Sequence, residues 1–158
     1  MMKQLFYSLS PIWRILPIQA YISLTGQKVV FPFYHTVDDD VPAHIKHLYR
    51  PRTTKEFEQD IDTLLSNYNP ISLEDLIAGN ITKPSFLLTF DDGLSEFSQV
   101  AAPILSKKGI PAVNFINTDF IDNKDLFFRF KESLIVEQLE SDTKCKSYLS
   151  ATLECNEC

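Results

Sequence analysis

The stretch Phe86-Leu87-Leu88-Thr89-Phe90-Asp91-Asp92-Gly93 decides the fold. Its first five residues form an apolar run with no helical gap, the pattern of a strand buried on both faces. It stops abruptly at two carboxylates and a glycine. Adjacent ions at the end of a buried strand are costly, because each disfavours ionisation of its neighbour unless a cation compensates. An Asp-Gly pair also makes tight turns and caps helices, which is the plainer account of Asp92-Gly93 taken alone. The buried strand before it and the helix behind it favour a functional site, since α/β folds gather catalytic groups on strand-end loops.

Outward from this stretch, strands and helices alternate. Val29 to Tyr34 reads as a buried strand, with Pro32 marking an edge or a bulge. Thr53-x-x-Glu56 has the form of a capping box. Behind it Phe57, Ile61, Leu64, Leu65 and Tyr68 recur at helical spacing, which predicts a helix over 54–68. Ser72 opens a short second helix that Gly79-Asn80 ends.

Beyond the double aspartate, Phe97, Val100, Ala101, Ile104 and Leu105 mark a helix finishing at Lys107-Lys108-Gly109. Pro103 within it predicts a late start or a kink. Ala112 to Ile116 is the next strand, and Asp122 or Asn123 is expected to cap a last helix carrying Phe127, Phe130, Leu134, Ile135 and Leu139.

Such alternation implies an α/β fold with a parallel sheet and right-handed crossovers. An eight-stranded barrel takes about 250 residues. With 158 residues and three convincing strands, the expected architecture is a partial, distorted (β/α) barrel. Open sheet edges in such a fragment favour self-association.

Composition narrows the function classes. Hydrophobic residues at 44% and charged residues at 23% fit a folded globular chain. The net charge of -6 and the lack of any Lys/Arg cluster exclude a phosphate-tracking surface, so nucleic acid is not an expected partner. Aromatic residues reach 12%, mostly at core-like spacing rather than in an exposed row. Residues 1–27 form an apolar lead-in, but Pro11, Arg14 and Pro17 break it. It is too interrupted to cross a bilayer and has no clean cleavage site, so a short helix packed on the domain is preferred to membrane contact. Cytoplasmic and envelope-peripheral locations both stay open. Cys145, Cys155 and Cys158 crowd the last 14 residues. Cys155-x-x-Cys158 resembles half a zinc site or a redox pair, but no His follows His47 to complete zinc ligation, and a tail without chemistry is the preferred reading.

Thr89-Phe90-Asp91-Asp92-Gly93 resembles the first motif of the polysaccharide deacetylase family, the NodB-homology or carbohydrate esterase 4 type. Ala102-Pro103-Ile104-Leu105 and Lys108-Gly109-Ile110-Pro111-Ala112 are similar to that family's next helix and strand, and Phe33-Tyr34-His35 to its lead-in. The resemblance covers residues 28–122 and leaves 123–158 as a helical segment and tail. It implies metal-dependent hydrolysis of an acetyl group on an N- or O-acetylated carbohydrate. Asp91 is then the catalytic base and Asp92 a metal ligand, with zinc the expected ion; His35 faces the same mouth as a candidate substrate contact.

The family's second motif, a His-x-x-x-His type pair downstream, has no counterpart here. His44-Ile45-Lys46-His47 lies upstream with different spacing and reads as a solvent-facing pair. The expected metal site is therefore incomplete in these 158 residues, and the chain alone is expected to be inactive. A non-catalytic carbohydrate-binding or degenerate structural module is the alternative. Phosphoryl chemistry fits less well, because aspartate-nucleophile phosphatases separate their two Asp by one residue so that both leave one strand face.

Overall fold

The computed structural model describes residues 16–142 together with 144 and 147. The three cysteines and the first half of the apolar lead-in lie outside the described residues. Helix α1, Ile18–Thr25, ends at Gly26 in the left-handed conformation (φ 66°). No residue of α1 is fully buried, and Gln19 Nε2 donates to Asn67 Oδ1 at 2.7 Å.

The strands that follow are short and all parallel. The central one comes in two pieces, β4 (Ser85–Phe86) and β5 (Leu88–Phe90). Along one edge run β1 (Val29–Val30) and β2 (Phe33–Tyr34), in a single unbroken register from Val29↔Ser85 to Tyr34↔Phe90. Along the other edge, β3 (Asn69–Pro70) pairs with β4, and β6 (Ala112–Asn114) pairs with β5.

The division into pieces has a chemical cause. The N–H groups of Ser85, Leu87, Thr89 and Asp91 donate in turn to the carbonyls of Lys28, Val30, Pro32 and Tyr34, at 2.8–3.1 Å. A parallel ladder alternates such bonds with return bonds from the partner strand. The return bond to Leu87 has no donor, because Pro32 lacks an N–H. The expected strand over 29–34 is thus one extended segment with a gap at Pro32.

Helices cover one face of this sheet. Helix α2, Thr54–Leu65, starts from Thr53, whose hydroxyl accepts from Glu56 N–H while the Glu56 carboxylate accepts from Thr53 N–H. Its Phe57 and Ile61 are fully buried against Phe86, Leu88 and Phe90. Phe57 meets Tyr34 edge-on with ring centroids 5.1 Å apart, and Phe90 packs on Phe97 at 4.8 Å. Helix α3, Leu73–Ala78, repeats the capping box with Ser72 and Asp75 and ends at Gly79. Helix α4, Ala102–Lys108, follows a π-turn over Phe97–Ala101. Pro103 therefore falls in the first turn of the regular helix, where a missing N–H costs nothing, and the late start is as expected.

Two expectations change. Residues 118–123 form a 3₁₀ segment in which Asp122 takes φ 63°, so no helix begins there. Helix α5, Phe128–Ser141, starts later, with Phe127 at its cap position and no side-chain cap; Asp125 instead accepts from Leu126 N–H and pairs with Lys131. The apolar face expected of α5 is only partly covered: Phe130 is buried, but Leu134 is 40% and Ile135 58% exposed.

The other face of the sheet is bare over its flanking strands, although Leu87 at its centre is only 3% exposed. Phe31, Phe33 and Phe115 are 52%, 65% and 57% exposed. Parallel sheets normally bury both faces. The strands do not close among the described residues, so the architecture is α/β with an open parallel sheet; the barrel is not formed here.

Candidate active site at the end of the central strand

Asp91 still belongs to the ladder, its N–H donating to the Tyr34 carbonyl at 2.9 Å. Asp92 and Gly93 then take left-handed backbone in succession, φ 71° and 65°, and the chain leaves the sheet. Aspartate tolerates this conformation better than bulkier residues do. Gly93 is required for a second reason: a Cβ there would stand 3.1 Å from Ile116 Cγ2 and 3.3 Å from its Cα. The close pass of Ile116, just beyond β6, forms the other lip of the turn.

His35 leaves the end of β2 and reaches Asp92, with Nε2 4.0 Å from Oδ2 and both side chains about one-third exposed. The His35 ring lies between Phe33 and Tyr49, at centroid distances of 5.9 and 5.7 Å. The sequence reading thus names two residues, His35 and Asp92, that fold into contact across 57 positions.

Three further groups at this mouth escaped the sequence reading. Thr36 is buried, and its hydroxyl hydrogen-bonds the Tyr49 hydroxyl at 3.1 Å. Burial pushes the Tyr49 phenol above its ordinary value; the Thr36 contact works against this, and the negative charges of Asp92 and Glu96 add to it. Glu96, only 9% exposed, accepts from Ser95 Oγ at 3.3 Å. Its position five residues after Asp91, at the head of the following helix, was the available signal. Tyr49 sits in a polar loop and had none.

Asp92, Gly93 and Glu96 line a cleft of about 540 Å³ whose far wall is His44, Phe120 and Phe130. The expectation of a solvent-facing histidine pair is corrected here. His44 packs edge-on against Phe130 at 5.3 Å, and His47 Nε2 lies 2.8 Å from Glu137 Oε2. Helix α5 covers both, which local sequence in the loop does not reveal.

The match to known proteins follows the same residues. Residues 78–143 match the polysaccharide deacetylase family. That segment carries the central strand, the Asp91-Asp92-Gly93 turn and the helix behind it. Over that segment the chain is similar to polysaccharide deacetylases.

Among solved structures, the Streptococcus pyogenes deacetylase PplD, determined with acetate, shares 25% identity at a TM-score of 0.51. The match covers 68% of this chain and 52% of that one. IcaB from Ammonifex degensii aligns at 24% identity and TM-score 0.52, over 70% and 49% of the two chains. A de-N-acetylase from Aggregatibacter actinomycetemcomitans aligns at 28% identity and TM-score 0.49, over 60% and 39%. The chain thus spans about half or less of each of these relatives. No curated protein sequence matches it.

The matched family implies a divalent metal, and the donors near Asp92 test the fit. Catalytic zinc sites use three protein ligands. Among the described residues, Asp92 is joined by one imidazole, His35, and by no second histidine. The group with three closely spaced metal-ligating atoms is elsewhere, at His47, Glu137 and Glu140. Among the described residues, the donors at Asp92 do not make a complete catalytic site. No helix among the described residues is long and apolar enough to cross a membrane.

Proposed function

We propose that residues 28–122 are the N-terminal part of a carbohydrate deacetylase domain, acting on N- or O-acetylated sugar, with Asp91 as general base and Asp92 as a ligand of the metal. Asp91 takes a proton from water, and the resulting hydroxide attacks the acetyl carbonyl. The bond from that carbonyl to the sugar nitrogen or oxygen breaks, acetate leaves, and the sugar atom gains a proton. His35, beside Asp92, contacts the substrate. Asp92 gives one carboxylate to a divalent ion, zinc by the family resemblance, once the rest of the site is supplied; these 158 residues alone are then inactive. The observation that carries this reading is the Asp91-Asp92-Gly93 turn at the end of a central parallel strand, with His35 4.0 Å from Asp92.

The test is acetate release from a chitin-type oligosaccharide, measured on this chain and on a natural protein that carries it within a whole domain. Asp91→Asn in the whole domain should abolish release and spare bound metal, whereas Asp92→Asn should lose both. Equal metal loss in the two variants would refute this division of roles. Release by the 158-residue chain alone would overturn the incomplete-site reading.

A non-catalytic glycan-binding role draws support from one observation. Phe31, Phe33 and Phe115 stand exposed on the bare sheet face, contrary to the aromatic pattern expected from sequence. Glycan binding that Phe33→Ala abolishes, with no acetate release from the whole domain, would favour it.

A further inference from the structure

The loop carrying His47 is clamped to α5 by a buried serine. Ser133, 1% exposed, donates from Oγ to the Ala43 carbonyl at 2.8 Å and accepts from His47 N–H at 3.2 Å. One turn along α5 stands Glu137, and three residues further Glu140, on the same helix face. His47 Nε2 is 2.8 Å from Glu137 Oε2 and 3.9 Å from Glu140 Oε2. All three donor atoms lie within 4.8 Å of one another.

These separations suit a small cation. Bonds of about 2.0–2.1 Å in tetrahedral geometry hold neighbouring ligand atoms about 3.3 Å apart. The two separations from His47 fall on either side of that value, so small side-chain shifts would bring the set toward it. Imidazole with carboxylate is a donor mixture that zinc accepts, whereas calcium and magnesium prefer oxygen alone.

Lys46 is the opposing feature. Its Nζ lies 2.8 Å from each oxygen of Glu137. It holds that carboxyl ionised, below the ordinary range, with His47 adding to the effect. Lys46 can keep Oε1 while Oε2 turns to a metal, at the cost of like-charge repulsion that weakens the site. An ion pair between Lys46 and Glu137 accounts for one carboxylate. The ion contacts of His47 with both carboxylates are the competing account, and the zinc titration separates the two.

We infer that His47, Glu137 and Glu140 form a second metal site, for a divalent transition ion of the zinc class, with water completing its coordination. Such an ion staples the loop over 42–49 to α5, and so fixes the wall of the cleft opposite Asp92. The site shares no residue with Asp91 and Asp92 and stands whether or not the deacetylase reading holds.

The experiment is calorimetric titration of zinc into the 158-residue chain at near-neutral pH, with Cys145, Cys155 and Cys158 replaced by serine so that no thiol competes. One equivalent should bind. His47→Gln and Glu140→Gln should each weaken it at least about tenfold, because each removes a protein ligand. Lys46→Met should tighten it, and Asp92→Asn should leave it unchanged. Glu140 is exposed, so Glu140→Gln keeps the test valid even if His47→Gln fails to fold. Overturning results are no zinc binding by the parent, undiminished binding by Glu140→Gln, or binding that Asp92→Asn alone removes.

Discussion

Gly93 and Ile116 touch where the central strand gives way to its loop: a Cβ built on Gly93 would lie 3.1 Å from Ile116 Cγ2. Gly93 also has φ 65°, so a side chain there is strained by the backbone as well as by its neighbour. Gly93→Ala should destabilise the fold by about 1–3 kcal/mol, read as a lower urea midpoint. Ile116→Ala in the same chain should relieve the Cγ contacts and leave both the backbone strain and the approach to the Ile116 Cα. An unchanged midpoint in Gly93→Ala would mean that the turn rearranges at no cost.

Phe57 joins α2 to edge strand β2 and to central strand β5. It is fully buried, with its ring 5.1 Å from Tyr34 and 6.0 Å from Phe90. Phe57→Ala should cost about 3–5 kcal/mol, the usual loss for a buried aromatic. The exposed Phe128, 55% accessible, serves as control, and Phe128→Ala should shift the urea midpoint little. Similar losses at both positions would contradict the assignment of the core.

The legible parts of the sequence were those whose signal is local. Thr53-x-x-Glu56 and Ser72-x-x-Asp75 cap helices as their spacing implies, and Phe86 to Phe90 is a central strand because a continuous apolar run needs cover on both sides. Asp91 and Asp92 were visible because charges rarely follow such a run. Phe31 and Phe33 misled, since apolar residues on a bare parallel face read like core. His44, His47 and Glu137 were illegible for a different reason. Their partners lie about 90 residues away on α5, and only tertiary packing through Ser133 brings them together.

The α2 capping box makes stability depend on pH at the acid end. The Glu56 carboxyl is held below its ordinary value of 4.5, first by the Thr53 N–H and then by Arg50 and the Thr53 hydroxyl. A lowered carboxyl pKa contributes stability that is complete above the unfolded value and disappears as pH falls through the folded one. Urea midpoints of the parent should therefore fall as acid is added below 4.5, and Glu56→Gln should flatten that fall. Thr53→Ala should lower the midpoint at all pH values, by about 0.5–2 kcal/mol. A parent and a Glu56→Gln variant with parallel acid limbs would remove Glu56 from the account.

The bare sheet face predicts concentration-dependent self-association of the 158-residue chain. Phe33 on β2 and Phe115 just beyond β6 expose aromatic surface on either side of the central strand β5. Exposed apolar patches and unpaired strand edges both promote association. Sedimentation of the parent should show mass rising with concentration, and Phe33→Ser with Phe115→Ser should reduce it. A parent that stays monomeric throughout would show that the face is stable in water.

His35 offers the sharpest separation between a structural and a substrate-contacting role. Its ring is held between Phe33 and Tyr49, and its Nε2 reaches toward Asp92 at 4.0 Å, too far for a hydrogen bond. A group that packs on aromatic neighbours should, when removed, lower the urea midpoint and leave kinetics alone. A group that contacts substrate should do the reverse. In the natural protein carrying the whole domain, His35→Ala is expected to lower kcat/KM for deacetylation about tenfold, the equivalent of one hydrogen bond of about 1.4 kcal/mol. His35→Gln, which keeps a hydrogen-bonding side chain, should recover part of that loss, and bound metal should stay as in the parent. A His35→Ala protein with unchanged kcat/KM and a lowered urea midpoint would assign the residue to packing.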